Sequence, residues 1–575
     1  MNTSPSPELT GTEARTGFGL TEWLILVVAV LASALAMSPN VADPDLWGHV
    51  QYGRDVIESG EIAETTSYSY TANGYRWINH ENFSEIVMAI VADTLGPIGL
   101  VIGKFLLSLL VIGLVAWWNL RRGIGVIATS ILLLLLGANL GYHWSIRPQL
   151  ASFVCFTLMI ALLQFSFEGW RGNWHFRFPR KWFAASASDS PNELGYESWK
   201  LRCLWLVPIV LLVWTNSHGG FVAGLCVYCA YLGLRAIESL SRRGSRGWGL
   251  FRRMTLMIVV AITITFLNPY GPRLHLWLLE SLGSPRPEIS DWSTTELTSV
   301  IGMKLWALVG VTIVSLLLSK RRYDLTQILL LGLTLWQSLS HFRHVPFFAI
   351  LAAFWLGPHL QSALARLKIS VSDPANEKAL TRWAVHSVLI VCIGLVGFRL
   401  SQRLSELPVN RDVFPVDAIA FMKEHELNGR IVVTYDWAQY LIAARCVNSE
   451  GRVAFDGRFR TCYPQEVVDM HFDFLYGETD LMKRHRSPQS GEINSSRVLN
   501  YGKPSLVLIS RKGEKTEKHM FENTDDWVLL YQDGIAQVWG RKVVYDDPTS
   551  PSYLSPERRA VCDQVPQGYR RWPAL

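Results

Sequence analysis

The stretch ADPDLWGHVQYGRDVIESGEI, Ala42–Ile62, follows directly on the first apolar run of the chain, Trp23 to about Met37, and decides how the rest is read. It opens a segment reaching Phe83 that carries Asp43, Asp45, Asp55, Glu58, Glu61, Glu64 and Glu81 against only Arg54 and Arg76. LWGHVQYGRDVIESG has the spacing of a short amphipathic helix lying in a membrane interface, with Trp47 and Tyr52 as anchors. Asp43-Pro44-Asp45 has two uses on these residues alone. It caps that helix, or it presents a carboxylate at the membrane surface, where it serves as a general base towards an acceptor hydroxyl while the donor's lipid stays in the bilayer.

The apolar runs on either side set the class. Of 575 residues 49% are hydrophobic and 23 are Trp, which with a positive mean hydropathy points to a membrane protein rather than one soluble core. Runs near the roughly 20 residues that a spanning helix needs begin around residues 22, 99, 124, 149, 203, 219, 254, 299, 325, 345 and 383, giving about eleven spans. The first run has no small-residue cleavage pattern after it and reads as a retained helix. Ser84–Leu95, before Gly96-Pro97, is taken as a half-helix continuing the acidic loop; as a separate span it would shift the count by one.

Lys and Arg near span ends give the orientation. Arg121-Arg122, Arg171 to Lys181, Arg242 to Arg253, Lys320 to Arg322, and Arg366 with Lys368 fall on one side, expected to be cytoplasmic with the N-terminal tail 1–21. The acidic loop (39–83), Ile146–Gln149, Asn216–Gly220, Asn268–Gly271 with the loop to about Ser299, and His341–His344 alternate with them and fall outside. The net charge of +6 is held in these short clusters, with no continuous basic face for nucleic acid. Cys226 and Cys229 form a CxxC inside an apolar run and read as packing.

After the transmembrane domain, 22–400, the periodicity changes. PVDAIAFMKEHEL, WAQYLIAA and PQEVVDMHFDFLY read as helices, and RIVVTY, RVAFDGR, SLVLIS and WVLLYQDGIAQVWGRK as strands, the last a hairpin with a DG turn. This predicts a soluble α/β domain over 401–545 and an irregular tail over 546–575. Tyr435-Asp436-Trp437 and Asp456-Gly457-Arg458 fall at strand ends, as structural turns or site elements.

Three outward motifs carry polar groups at a shared depth: Arg147 in IRPQLAS, Asn216 and His218 in WTNSHGGF, and His341, Arg343 and His344 in LSHFRHVP. Charge there is costly unless paired or facing a wet cavity. Arginine suits phosphate through two parallel hydrogen bonds; the bland alternative is a salt bridge from Arg147 to the acidic loop.

The opening DPDLWGHVQYGRDVIESGEI after a first helix resembles the GT-C superfamily of membrane glycosyltransferases. A closer resemblance, to uncharacterised bacterial multi-pass membrane proteins that look like GT-C enzymes, extends to Trp77-INHE-Asn82, RPQL, Asn216-SHGG, NPYG, RHVPFFA, YDWAQYL and FDGR. It implies an α-helical polytopic membrane protein in the cell membrane with a C-terminal extracytoplasmic α/β domain. The implied reaction moves a sugar, with inversion, from a polyprenyl-phosphate donor to an extracytoplasmic acceptor. By the same resemblance Asp45 is the general base and Asp43 a second carboxylate. His80 and Glu81 contact acceptor or metal, Arg147 and Arg343 hold the donor phosphate, and His49, Asn216, His218 and His344 complete the substrate contacts. A divalent metal such as Mg or Mn serves some members, and the expected partners are the lipid-linked donor, membrane lipids and the acceptor. Asp-Pro-Asp replaces the adjacent Asp-Glu common in mannosyltransferase-like members, Ala438 stands where Gly is expected, and a WWDxG motif is absent, which argues against en bloc transfer to asparagine. The other class of function is a non-catalytic transporter or a scaffold for envelope polysaccharide assembly. A transporter should show inverted repeats with paired broken helices, and no convincing repeat is found.

Overall fold

The structure, a computed structural model, describes residues 18–170, 195–369, 379–444, 452–478 and 484–575, with the backbone of 175 and 176. Most of the expected cytoplasmic tail, nearly all of the basic segment from Arg171 to Lys181, and Cys446 lie outside the described residues.

Fourteen helices precede the C-terminal domain among the described residues: α1 (Leu20–Ala36), α2 (Leu46–Ser59), α3 (Asn82–Arg121), α4 (Val126–Leu140), α5 (Gln149–Ser166), α6 (Val207–Thr215), α7 (Phe221–Arg243), α8 (Trp248–Ile264), α9 (Pro272–Gly283), α10 (Val300–Leu318), α11 (Leu325–Ser340), α12 (Val345–Trp355), α13 (Gly357–Arg366) and α14 (Ala379–Leu404). Each of the eleven apolar runs is helical, but the count of eleven spans is not reached. Among the described residues six helical stretches are long and apolar enough to cross a membrane, one of them, Phe221–Ile264, holding two of the runs, or seven if the bent α12–α13 pair is one span. The shortfall has local causes. α1 and α11 stop short of full length, and the run from residue 203 is a 3-10 segment plus nine residues of α6, ended at Asn216. Ser84–Leu95 is helical and ends at Gly96, whose non-helical backbone breaks the path before Pro97, as expected of a half-helix; α3 is two helices meeting at that kink, and no separate span is added. The outermost helix, α14, is barely buried by the rest of the protein and shows Trp383, Val388, Leu395 and Phe398 to its surroundings, as befits a face that meets lipid tails.

The C-terminal domain is built on a five-stranded mixed sheet. After β1 (His175–Phe176), β2 (Tyr323–Asp324) and β3 (Pro408–Asn410) come β4 (Ile431–Val433), β5 (Leu506–Ser510), β6 (Trp527–Gln532), β7 (Ala536–Arg541), β8 (Ala560–Val561) and β9 (Tyr569–Arg571). The sheet order is β4-β5-β7-β6-β8, with β4 parallel to β5 and the β6–β7 hairpin antiparallel. Val416–Glu424, Ala438–Ala443 and Gln465–Tyr476 are helical as their periodicity predicts. RVAFDGR is not a ladder strand: only Val453 bridges, to Ser69 and Ile431, tying the tail to the acidic loop. The Pro- and Ser-rich end is mostly turns and extended backbone, but its last residues are tied down: β9 pairs with β3, and Trp572 is buried.

This end of the chain closes over α2. Trp47 donates to the carbonyl of Pro573 at 2.9 Å and packs on Phe414, Tyr440 and Trp572. Tyr52 packs on Tyr68 and Trp77. Both aromatics are 1–2% exposed, so they are core of the junction between the two domains and not interfacial anchors. A helix of that spacing is amphipathic in either setting, and sequence does not say whether protein or lipid covers its apolar side.

Candidate functional site

Asp45 is the residue just before α2, yet its side chain makes no capping bond. Asp43 does the local work instead: its Oδ1 accepts the N–H of Asp45 at 3.0 Å, a turn that Asx side chains form readily. The Asp45 carboxylate is thereby left to distant partners. It accepts from Arg147, whose Nε lies 3.6 Å from Asp43 Oδ1, and from Gln439 Nε2 of the C-terminal domain at 3.4 Å. Gly457 is required here, because a Cβ on it would fall 2.5 Å from Asp45 Oδ1. Burial pushes the Asp45 carboxyl up to about 6; Asp43 and Glu81 push the same way, while Arg147 and His49 oppose.

One turn further along α2, His49 Nδ1 lies 3.0 Å from Glu85 Oε1 and 3.9 Å from Glu81 Oε2. α2 comes this near because position 53 is glycine: a Cβ there would stand 2.1 Å from the Glu85 carbonyl oxygen. Glu81 and Glu85, at i and i+4 about the start of α3, face the same way. Glu81 also lies 3.6 Å from His218 Nε2 and 4.0 Å from His80 Nε2. Burial alone would raise its pKa, but His80, His49 and His218 bring it below the usual value. His49 is affected oppositely: burial lowers it, and the bond to Glu85 with the charges of Glu81, Glu85 and Asp45 raises it overall. His218 is depressed by burial to about 3, hence neutral, and its Nδ1 takes the N–H of Gly220 at 3.1 Å and meets Ser152 Oγ at 2.7 Å, which turns Nε2 towards Glu81.

Glu85 is 2% exposed, and its second oxygen accepts from Asn79 Nδ2 at 2.6 Å. Asn79 in turn donates its N–H to Tyr270 Oη at 3.0 Å and receives the Glu81 N–H on Oδ1 at 3.1 Å. His49, Glu81 and Glu85 offer ligand atoms that all lie within 4.8 Å of one another.

Of the residues singled out in sequence, Asp43, Asp45 and Arg147 form one contact group, and His49, His80, Glu81 and His218 form a second beside it. Arg343 stacks 4.6 Å over Trp292 and is close enough for the charges of Arg147 and Glu81 to act on it. Two do not join. Asn216 spends its amide on the carbonyls of Leu212 and Leu267, and His344 pairs with Gln337 at 3.1 Å. Glu85, Asn79 and Gln439 were missed. The i, i+4 step from Glu81 was a readable signal for Glu85, hidden by the apolar stretch around it; Gln439 had none, being brought to Asp45 only by domain docking.

No protein-family model matches the sequence, and no curated protein matches it. Solved structures do. An oligosaccharyltransferase, AglB, from Archaeoglobus fulgidus, in complex with an inhibitory peptide and a dolichol-phosphate, superposes with a TM-score of 0.53 at 11% identity, over 86% of this chain and 70% of that one. ArnT from Cupriavidus metallidurans in the apo state gives 0.50 at 13% identity, over 90% of this chain and 98% of that one. Both are GT-C superfamily proteins. The chain has the GT-C fold. With its long apolar helices, it is a multi-pass membrane protein carrying a C-terminal sheet domain. The GT-C match spans both domains, in keeping with the packing of the C-terminal domain onto α2.

Proposed function

We propose that the chain transfers a sugar from a polyprenyl-phosphate donor to a hydroxyl-bearing acceptor on the extracytoplasmic side of the cell membrane, with Asp45 as general base. The observation that carries the proposal is the half-buried carboxylate of Asp45, free of any capping duty, set against Arg147 on a GT-C fold. The AglB structure with a dolichol-phosphate supports a lipid-phosphate ligand for such a fold, and the loop charges support the outward side. Asp45 takes the acceptor's proton, the acceptor oxygen bonds to the anomeric carbon from the face opposite the leaving group, and the C–O bond to phosphate breaks with its electron pair on the lipid phosphate. Arg147 and Arg343 meet the negative charge that grows there. Arg147 is the strongest charge holding the Asp45 pKa down, so a phosphate that draws this guanidinium away leaves a stronger base as the donor docks.

The test is transfer of labelled sugar from polyprenyl-phosphate donors by the purified full chain, with Mg²⁺ or Mn²⁺ supplied, across pH. The active form is the carboxylate and its pKa without donor is raised to about 6, so at subsaturating donor, where kcat/KM reports the free enzyme, the rate should climb with pH through about 6 and be about tenfold lower at pH 5 than at pH 7. No transfer from any such donor at any pH would overturn the proposal and favour a transporter or scaffold.

The mixed imidazole and carboxylate set of His49, Glu81 and Glu85 fits a divalent cation, and its nitrogen ligand suits Mn²⁺ better than Mg²⁺. Bound there, the ion would supply positive charge to orient an acceptor or donor oxygen. Calorimetric titration of the chain with Mn²⁺ should give one saturable site, weakened about 10–100-fold or more in His49→Ala. Equal binding by that variant would remove these residues as ligands.

A further inference from the structure

Several of the helices that hold the carboxylate site also shape a cavity at their other ends. His218 precedes α7, and Arg235 lies about 20 Å along that helix at 1.5 Å per residue. Likewise Arg147 precedes α5, whose far end carries Gln164, and Arg343 precedes α12, which ends at Trp355. Gln164, Arg235 and Trp355, with Trp118 and Arg122 near the end of α3, line a cavity of about 530 Å³. That is ample for a small organic ligand.

Its chemistry is unbalanced. Five cationic side chains line it against two carboxylates, Glu168 and Asp324. Both carboxylates are already engaged: Glu168 with Lys200 at 2.7 Å and Arg121 at 3.4 Å, Asp324 with Arg235 and with the N–H of Thr326 at 3.0 Å. Among the described residues no carboxylate comes within ion-pair distance of Arg122, Lys320 or Arg321, which are exposed at its rim. Four of the lining residues carry a buried side-chain N–H with no acceptor among the described residues: Trp118 Nε1, Trp355 Nε1, Gln164 Nε2 and Arg235 Nε. A buried donor without a partner is costly, so the wall of the cavity favours a ligand rich in acceptor oxygens. The rings of Trp118, Trp170, Tyr231 and Trp355 offer an apolar wall to whatever carries them.

We propose that this cavity binds a phosphate-bearing anion, held by the rim cations Arg122, Lys320 and Arg321. It lies at the end of the bundle that loop charge assigns to the cytoplasm, opposite Asp45, so it is a second site and does not rest on sugar transfer. The phosphate comes either from a lipid headgroup of the adjacent leaflet or from a free phosphate in solution.

The experiment uses the delipidated full chain in detergent, titrated calorimetrically with inorganic phosphate, and by native mass spectrometry with dioleoyl phosphatidic acid and dioleoyl phosphatidylcholine. Saturable binding of inorganic phosphate supports a soluble source; binding of phosphatidic acid alone supports a headgroup. In either case the double variant Arg122→Gln/Arg321→Gln, at exposed positions, should weaken binding at least about tenfold, while Arg273→Gln, in an exposed ion pair with Glu64 of the acidic loop, leaves it intact. The proposal is overturned if neither phosphate ligand binds saturably, if phosphatidylcholine binds equally well, or if binding survives the double variant.

Discussion

Asp45→Asn should lower sugar transfer by about 10²–10⁴-fold, the usual contribution of a positioned general base, without changing the fold. The amide is nearly the same size; its oxygen can still accept from Arg147, and its NH2 can donate to Gln439 once that amide turns its unpartnered Oε1 inward, so the geometry around it survives. What it loses is basicity, and with it the rise in rate through pH 6. Asp43→Asn is the informative companion. Asp43 Oδ1 spends itself on the N–H of Asp45, a bond that an Asn oxygen also accepts, so the loss should be much smaller, about tenfold or less. Equal losses in the two variants would move the base from Asp45 to the pair; an unchanged rate in Asp45→Asn would remove it altogether.

Arg458→Met should destabilise the C-terminal domain by about 3–5 kcal/mol, the cost of removing one partner from a buried ion pair. The guanidinium donates to both oxygens of Asp456, at 2.9 and 2.7 Å, and to Thr66 of the acidic loop at 2.9 Å. It also sits 4.6 Å over Trp77 and 5.1 Å over Tyr52. Asp456 is 0% exposed; burial would raise its pKa, but Arg458, with help from Tyr463, holds it below the usual carboxylate range. Met fills much of the volume but leaves that carboxylate with Tyr463 as its main partner. Thermal unfolding should shift by roughly 6–20 °C for a domain of this size. Asp456→Asn in the same chain should restore part of the loss, because no uncompensated charge is then buried. A shift of under about 2 °C for Arg458→Met would mean that water reaches the pair. Because Gly457, between these residues, lies beside Asp45, where even a Cβ would stand 2.5 Å from Oδ1, the variant should also reduce transfer before it unfolds.

The two variants touch what was legible and what was not. Asp45 and Arg147 could be singled out from sequence because each is a charged group at the end of an apolar run, where charge is costly without a purpose. Arg458 lies in a soluble stretch, FDGR, where charge is ordinary, and as a turn it fitted the strand pattern equally well. Glu85 was hidden because hydropathy averages over a window, and one carboxylate among Ile, Val, Met and Ala does not lower it enough to show. Trp47 and Tyr52 were placed on the wrong neighbour, since their amphipathic helix would look the same beneath lipid or beneath a domain.

By itself the sequence determined the membrane class, the eleven apolar runs that became helical, the helix–strand order of most of the C-terminal domain and the residues around which the site is built. These follow from local composition and periodicity, which act over a few turns of chain. Only the tertiary structure decided that several runs fall short of spanning length, because breaks such as Asn216 stop them, and that the tail closes over α2 to bring Gln439 and Gly457 to Asp45. It alone joined His49 to Glu81 and Glu85 across the close contact at Gly53, and gathered five cationic side chains around one cavity. Each of these depends on residues far apart in the chain meeting at a few ångströms, and no local pattern encodes such a distance.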